Sequence, residues 1–181
     1  MWLWIGAGAA VVWAVAAYNG LVQLQVRAAG AWSDIGVQLK RRYDLIPNVV
    51  EAVKGYAAHE QGVFVQVTQA RAQAMQTDTP KAKEHAEGQL AGAMRSLFAV
   101  AEQYPQLRAN ESFMGLQRSL TQVEDALQGA RRYYNAVVRD YNTKLGVLPD
   151  RLIAQAAKFQ PREFFQLDNA QEGQAPKVSF P

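Results

Sequence analysis

The chain has 181 residues, 49% of them hydrophobic, and a formal net charge of +3. That length suffices for one domain with a substantial core, and the charge bias is too small to argue for a nucleic-acid partner. With no cysteine, disulfides, thiol nucleophiles and thiolate zinc sites are excluded.

No charged side chain occurs from Met1 to Val26, and Trp2 to Val22 is overwhelmingly apolar. About 20 such residues cross the hydrocarbon core of a bilayer as a helix. Trp2 and Trp4 stand at one end and Tyr18 at the other, where amphipathic rings favour the headgroup layer. Ala14-Val15-Ala16 resembles a signal-peptide cleavage site, but no Lys or Arg precedes the apolar run, so the segment reads as a retained anchor. Arg27, Lys40, Arg41 and Arg42 follow it, which puts the body in the cytoplasm and the short N-terminus outside. Gly6, Ala10, Ala14 and Ala17 form a stripe of small residues, a pattern that lets helices associate closely in lipid.

Helical periodicity then runs through the chain. Leu21, Leu24, Ala28, Ala31, Trp32, Ile35 and Leu39 continue the anchor into a first helix of the body. Asp44-Leu45-Ile46-Pro47-Asn48 predicts an interhelical corner, because proline suits a first helical turn and disfavours helix in the residue before it. Lys40, Arg41 and Arg42 would then be solvated cations in the last turn, complementing the helix dipole. A second helix takes Ile46 to Ala74, with Glu60 on its seam as an ion-pairing or recognition group or a solvated edge. Thr79 and Pro80 read as N-cap and first residue of a third helix, carrying Ala86, Leu90, Ala93, Leu97 and Val100.

The fourth helix repeats Phe113, Leu116, Leu120, Val123, Leu127, Ala130, Tyr134, Val137 and Tyr141, a seven-residue period that implies near-parallel helix packing as in coiled coils. Asn110 is its expected N-cap, and Gly146 its expected end. Arg132-Tyr133-Tyr134-Asn135 recurs as Arg139-Asp140-Tyr141-Asn142. The period demands core positions for the rings of Tyr134 and Tyr141, with their hydroxyls at a wet end or, with Arg132 and Arg139, at a partner surface. Leu148-Pro149-Asp150 opens a short last helix. Phe164 and Phe165 dock on the bundle, and residues 169–181 read as a flexible tail. The expected organisation is an anchor over 1–22, a body over 23–168 and that tail.

Chemistry is sparse. His59-Glu60-Gln61-Gly62-Val63 has valine where a zinc helix needs its second histidine, and neither His59 nor His85 follows a glutamate at the spacing of di-iron bundles. His85 beside Glu84 and Glu87 reads as a solvated helix start. No catalytic residue, cofactor site or metal site is identified, and the expectation is a protein that is not an enzyme.

"AWSDIGVQLKRRYDLIPNVVEAVKGYAAHE", "QYPQLRANESFMGLQRSLTQVEDALQGARRYYNAVVRDYNTKLGVLP" and the closing "REFF", after an anchor ending in Tyr18-Asn19, resemble the bacterial LemA family. The likeness runs from the anchor to Asp168. It departs at "LIAQAAKFQPREFF", which is more alanine-rich and polar than the family's usual ending. The resemblance implies an N-terminally anchored helical bundle on the cytoplasmic membrane, with no catalytic residues to carry over and a membrane metalloprotease or TPM-domain protein as a partner class. The fold expectation is therefore all-α: a transmembrane helix continuing into an elongated, mostly antiparallel four-helix bundle with a short C-terminal helix. Two functions compete: a scaffold that binds membrane lipid, forms a homo-oligomer and organises membrane, and a tethered adaptor for another membrane protein.

Overall fold

The computed structural model describes residues 2–166 and is all-helical apart from turns and an extended C-terminal segment. Its helices are α1 (Trp2–Lys54), α2 (Gln61–Met75), α3 (Pro80–Glu102), α4 (Pro105–Arg108), α5 (Glu111–Gly146) and α6 (Asp150–Ala156). The tail expected over 169–181 lies outside the described residues. The described residues form two compact units: one from residues 2–40 and 123–164, the other from 41–122 with Phe165 and Gln166. Helices α1 and α5 contribute to both.

In the first unit, the apolar face of α1 (Leu21, Ala28, Ala31, Ile35, Leu39) and that of α5 (Leu127, Tyr134, Val138, Tyr141) are buried. The two helices run antiparallel. The rings of Trp32 and Tyr134 meet at 5.3 Å, and twelve residues back along α1 the ammonium of Lys144 sits over Gly20. Leu21, Tyr141 and Ala154 form a core cluster joined by Leu24, Leu145, Ile153 and Phe159. Helix α6 ends in a Schellman closure: the Phe159 N–H donates to Ala154 O (3.0 Å), and that of Lys158 to Gln155 O (3.1 Å). The left-handed position of that motif usually belongs to glycine, and here it is held by Lys158 at φ 57°.

In the second unit, the end of α1 turns through residues 55–60 into α2, and α2 turns through 76–79 into α3. The Thr79 side chain accepts from the Ala82 N–H at 3.4 Å with Pro80 at the helix start. The Asn110 Oδ1 accepts from the Phe113 N–H at 3.2 Å, and α6 begins at Asp150, all three as expected from sequence. Phe165 is buried, while Phe164 is exposed.

The predicted corner at Asp44, Pro47 and Asn48 does not exist. Helix α1 runs through Pro47 without a break, and all three residues are exposed on it. Proline inside a helix leaves the carbonyl four residues earlier without its backbone donor. That carbonyl belongs to Tyr43, and the Arg71 Nε of α2 donates to it at 2.7 Å. A side chain from the next helix replaces the missing N–H, so the helix survives and the turn falls at 55–60. Ile46, Val49 and Val53 therefore belong to α1, not to a second helix.

The pairing of Pro47 with Arg71 is testable by a double-mutant cycle. Arg71→Ala should destabilise the protein by about 1–3 kcal/mol by orphaning a carbonyl. In a Pro47→Ala background, where residue 47 can donate again, the same change should cost much less in urea unfolding. Equal costs in both backgrounds would refute the compensation.

Candidate functional site

Arg42, expected as a solvated cation at a helix end, is buried inside α1, twelve residues before its end. Its Nη1 meets Glu87 Oε2 at 2.7 Å, and Glu87 is 0% exposed. The Tyr43 hydroxyl donates to the other carboxylate oxygen of Glu87 and lies 3.4 Å from Ala74 O. The Lys83 ammonium donates to the same Ala74 carbonyl at 2.8 Å and stands 5.9 Å from the centre of the Tyr43 ring. With Arg71 on the Tyr43 carbonyl, one turn of α1 engages α2 and α3 through three polar groups: the Arg42 guanidinium and the hydroxyl and carbonyl of Tyr43. An ion pair removed from water is costly unless its geometry is good and its remaining polar groups are occupied. Here the carboxylate accepts from both a guanidinium and a phenol.

The second polar constellation lies in the first unit, where α5 pins the extended C-terminal segment. The Tyr134 hydroxyl donates to Glu163 O at 2.9 Å and that of Tyr141 to Gln160 O at 3.0 Å. Asn142 works in both directions: its amide donates to Arg162 O at 2.8 Å and its Oδ1 accepts from the Arg162 N–H at 2.9 Å. The side chain thus mimics a strand partner for a segment that has no strand beside it. The Arg-x-Tyr-Asn repeat reads, at Tyr134 and Tyr141, as an internal clasp. Arg132 and Arg139 are exposed, Arg139 with Asp140 at 3.8 Å.

The remaining sequence candidates fall as follows. Trp2 and Trp4 are 82% and 83% exposed, and Gly6 and Ala10 are exposed as well. Ala14 is half-buried, and Ala17 is covered by its own chain at 4%, so it offers nothing to a second anchor. The rings of Tyr18 and Phe159 meet tilted, with centroids 5.7 Å apart. Glu60 does not sit on a helix seam; it is an exposed residue of the turn before α2. His59 is exposed in the same turn, and the His85 ring nitrogen faces Gln89 Nε2 at 3.1 Å.

Sequence reading missed the Arg42–Tyr43–Glu87 centre, although a signal was present. Arg42 stands three residues after Leu39 and four before Ile46, and Glu87 three before Leu90, all on buried stripes. Carried through Pro47, the three-four spacing marks both charges as interior.

Removing one partner of this centre should be far worse than removing all. Arg42→Ala should cost about 3–5 kcal/mol by leaving Glu87 buried without its cation, whereas joint Arg42→Met, Tyr43→Phe and Glu87→Leu should recover most of that loss, as chemical denaturation would measure. Burial, and then the Glu87 carboxylate, push the Tyr43 phenol well above its ordinary value. Burial likewise raises Tyr134 and Tyr141. Above pH ~10 the unfolded chain ionises these phenols while the folded one keeps their protons, so stability falls as pH rises. Tyr43→Phe should make that alkaline decline shallower.

The family model described as "LemA family" matches residues 31–180. The chain is 25% identical to Magnetosome protein MamQ 2 of Paramagnetospirillum magneticum and 24% identical to Magnetosome protein MamQ of Magnetospirillum gryphiswaldense, each match covering 82% of this chain and 64% of the relative. It is also 25% identical to Protein LemA of Metamycoplasma hominis, over 83% of this chain and 72% of the relative. The chain thus spans about 64% of the length of the MamQ relatives. The match takes in the centre at Arg42, Tyr43 and Glu87 and the clasp around Tyr134 and Tyr141, and the chain belongs to the LemA family.

Proposed function

We propose that the protein is a non-catalytic, single-pass scaffold of the bacterial cytoplasmic membrane, with its N-terminus outside and its body in the cytoplasm. In this reading, copies associate through their anchors and organise the membrane around them. One observation carries it. The apolar start of α1 is left bare by the rest of the chain, yet the same unbroken helix enters the core at Ala17 and Leu21. A surface so apolar and so exposed needs lipid or another helix against it. Gly6 and Ala10 lie on it, and a Cβ added at Gly6 would meet nothing within 4 Å, so a neighbouring helix has room to approach. Two of the relatives are named as magnetosome proteins, which fits a role in membrane organisation.

An adaptor for a membrane protease or TPM-domain protein is the second reading. It is favoured by the exposed turn at 55–60, where Tyr56 is left in the open beside His59 and Glu60. The two readings part on the anchor. Gly6→Ile and Ala10→Ile, both clear of the core, should reduce the particle mass in mild detergent if the scaffold reading holds. An unchanged mass distribution would sink anchor-driven assembly and leave the adaptor reading in front. Deleting the anchor up to Val22 is a poor substitute, since it removes Leu21 from the core.

A further inference from the structure

The start of α1 is bare on every side only as far as Val12. From Trp2 to Val12 the described side chains are exposed; beyond it Trp13 and Ala14 are half-buried and Ala17 is buried, while Val15, Ala16 and Tyr18 stay exposed on the other side of the helix. The eleven residues from Trp2 to Val12 rise about 16 Å, against a hydrocarbon core of about 30 Å. With Trp2 and Trp4 in one headgroup layer, the turns around Ala17 and Leu21 also lie at lipid depth, and those turns carry protein on one side.

The antiparallel register identifies that protein. Lys144 lies over Gly20, so two residues further along α5, Gly146 is level with Tyr18. The chain beyond it, through the α5–α6 turn, projects past Tyr18 toward the bilayer. Val147, Leu148 and Leu152 at this tip are exposed, Leu148 by 71%. Asp150, the carboxylate that opens α6, faces Lys144 at 3.8 Å. Beside the tip, along α1 from Tyr18 to Gln25, a pocket of about 440 Å³ is lined by Tyr18, Tyr141, Phe159, Lys158 and Arg162. It combines aromatic walls with two cations. Lys158 holds the left-handed backbone position that disfavours a non-glycine residue, which keeps its cation at this rim in place of the glycine the fold would prefer.

We propose that the α5–α6 tip is a second membrane contact: Val147, Leu148 and Leu152 seat among the lipids beside the α1 anchor, and Lys158 and Arg162 receive the phosphate of an anionic phospholipid headgroup. The proposal rests on α1 being a membrane anchor and is independent of whether anchors self-associate. An exposed apolar cluster at the interface is stabilised by burial in lipid, and basic side chains next to it add attraction to anionic headgroups. The first unit would then be fixed to the membrane at two points.

The chain has no cysteine, so a single introduced one labels a single place. Full-length protein carrying a polarity-sensitive fluorophore at Leu148→Cys, Leu152→Cys, Val12→Cys or Tyr133→Cys is reconstituted into phosphatidylcholine vesicles, with and without phosphatidylglycerol. Labels at 148 and 152 should emit to the blue, resist aqueous iodide and be quenched by lipids bearing a shallow quencher, whereas the label at Tyr133 should respond to iodide. The shielding should increase with phosphatidylglycerol, and Lys158→Gly, which relieves the backbone while removing the charge, should abolish that increase. A label at 148 as open to iodide as that at 133 overturns the proposal, as does one shielded from iodide yet untouched by the lipid quencher, which would place a second copy over the tip. Equal shielding in both vesicle types overturns the headgroup assignment. If the label at Val12 also escapes the lipid quencher, the anchor reading has failed; if Val12 is quenched and Leu148 is not, the tip alone has.

Discussion

Pro47 cannot supply a hydrogen to the carbonyl of Tyr43, and Arg71 supplies it from α2. That substitution decides the organisation of the second unit. Without it, α1 would have reason to break where the proline stands, and the turn would fall before residue 47. With it, the helix keeps Ile46, Val49 and Val53 on its buried face, and α2 is fixed to α1 at one backbone atom. The neighbouring residues complete the arrangement. Arg42 and Tyr43 converge on Glu87 of α3, while Lys83 and Tyr43 share the end of α2 at Ala74 O. Apolar stripes let helices slide against one another by a turn at modest cost. Directional bonds to single atoms do not, so this centre sets the register that the hydrophobic surfaces leave open.

The first unit solves a different problem with the same chemistry. Its C-terminal segment is extended, and an extended segment without a neighbouring strand has backbone groups to satisfy. Tyr134, Tyr141 and Asn142 supply donors and an acceptor at intervals along one face of α5. The two tyrosine rings come from the face that also packs on α1, so the α5 surface that buries the anchor-proximal core also holds the chain's return.

Where single residues carry a local instruction, the sequence could be read directly: Thr79 before Pro80, Asn110 before α5, Leu148-Pro149-Asp150 before α6, and the seven-residue stripe from Phe113 to Tyr141. It misled wherever a local rule was overridden by a partner distant in sequence. Pro47 reads as a helix start because its compensating donor is 24 residues away. Arg42 reads as solvated because the carboxylate that neutralises it is 45 residues away. The end of α6 was unmarked because Lys158 stands where glycine would announce a closure. The tyrosines of the Arg-x-Tyr-Asn repeat were placed correctly in the core; what their hydroxyls would bond could not be read, since backbone carbonyls have no sequence signature. For the same reason, the stripe from Gly6 to Ala17 looked uniform although its last member is covered by the chain itself.

The position of Leu21 has a consequence for how the protein is made. Leu21 leaves the ribosome 120 residues before Tyr141 and 133 before Ala154, its core partners. At ordinary rates of synthesis the interval is on the order of ten seconds. During it, the face of α1 from Ala17 to Leu39 has no mate from the first unit, whereas the second unit's helices emerge in between and can close on each other. A helix with one end in lipid is tethered through that wait, which limits the encounters an unpaired apolar face could make with other nascent chains. The order of emergence thus favours a second unit that matures first and a first unit completed only when the last helix arrives.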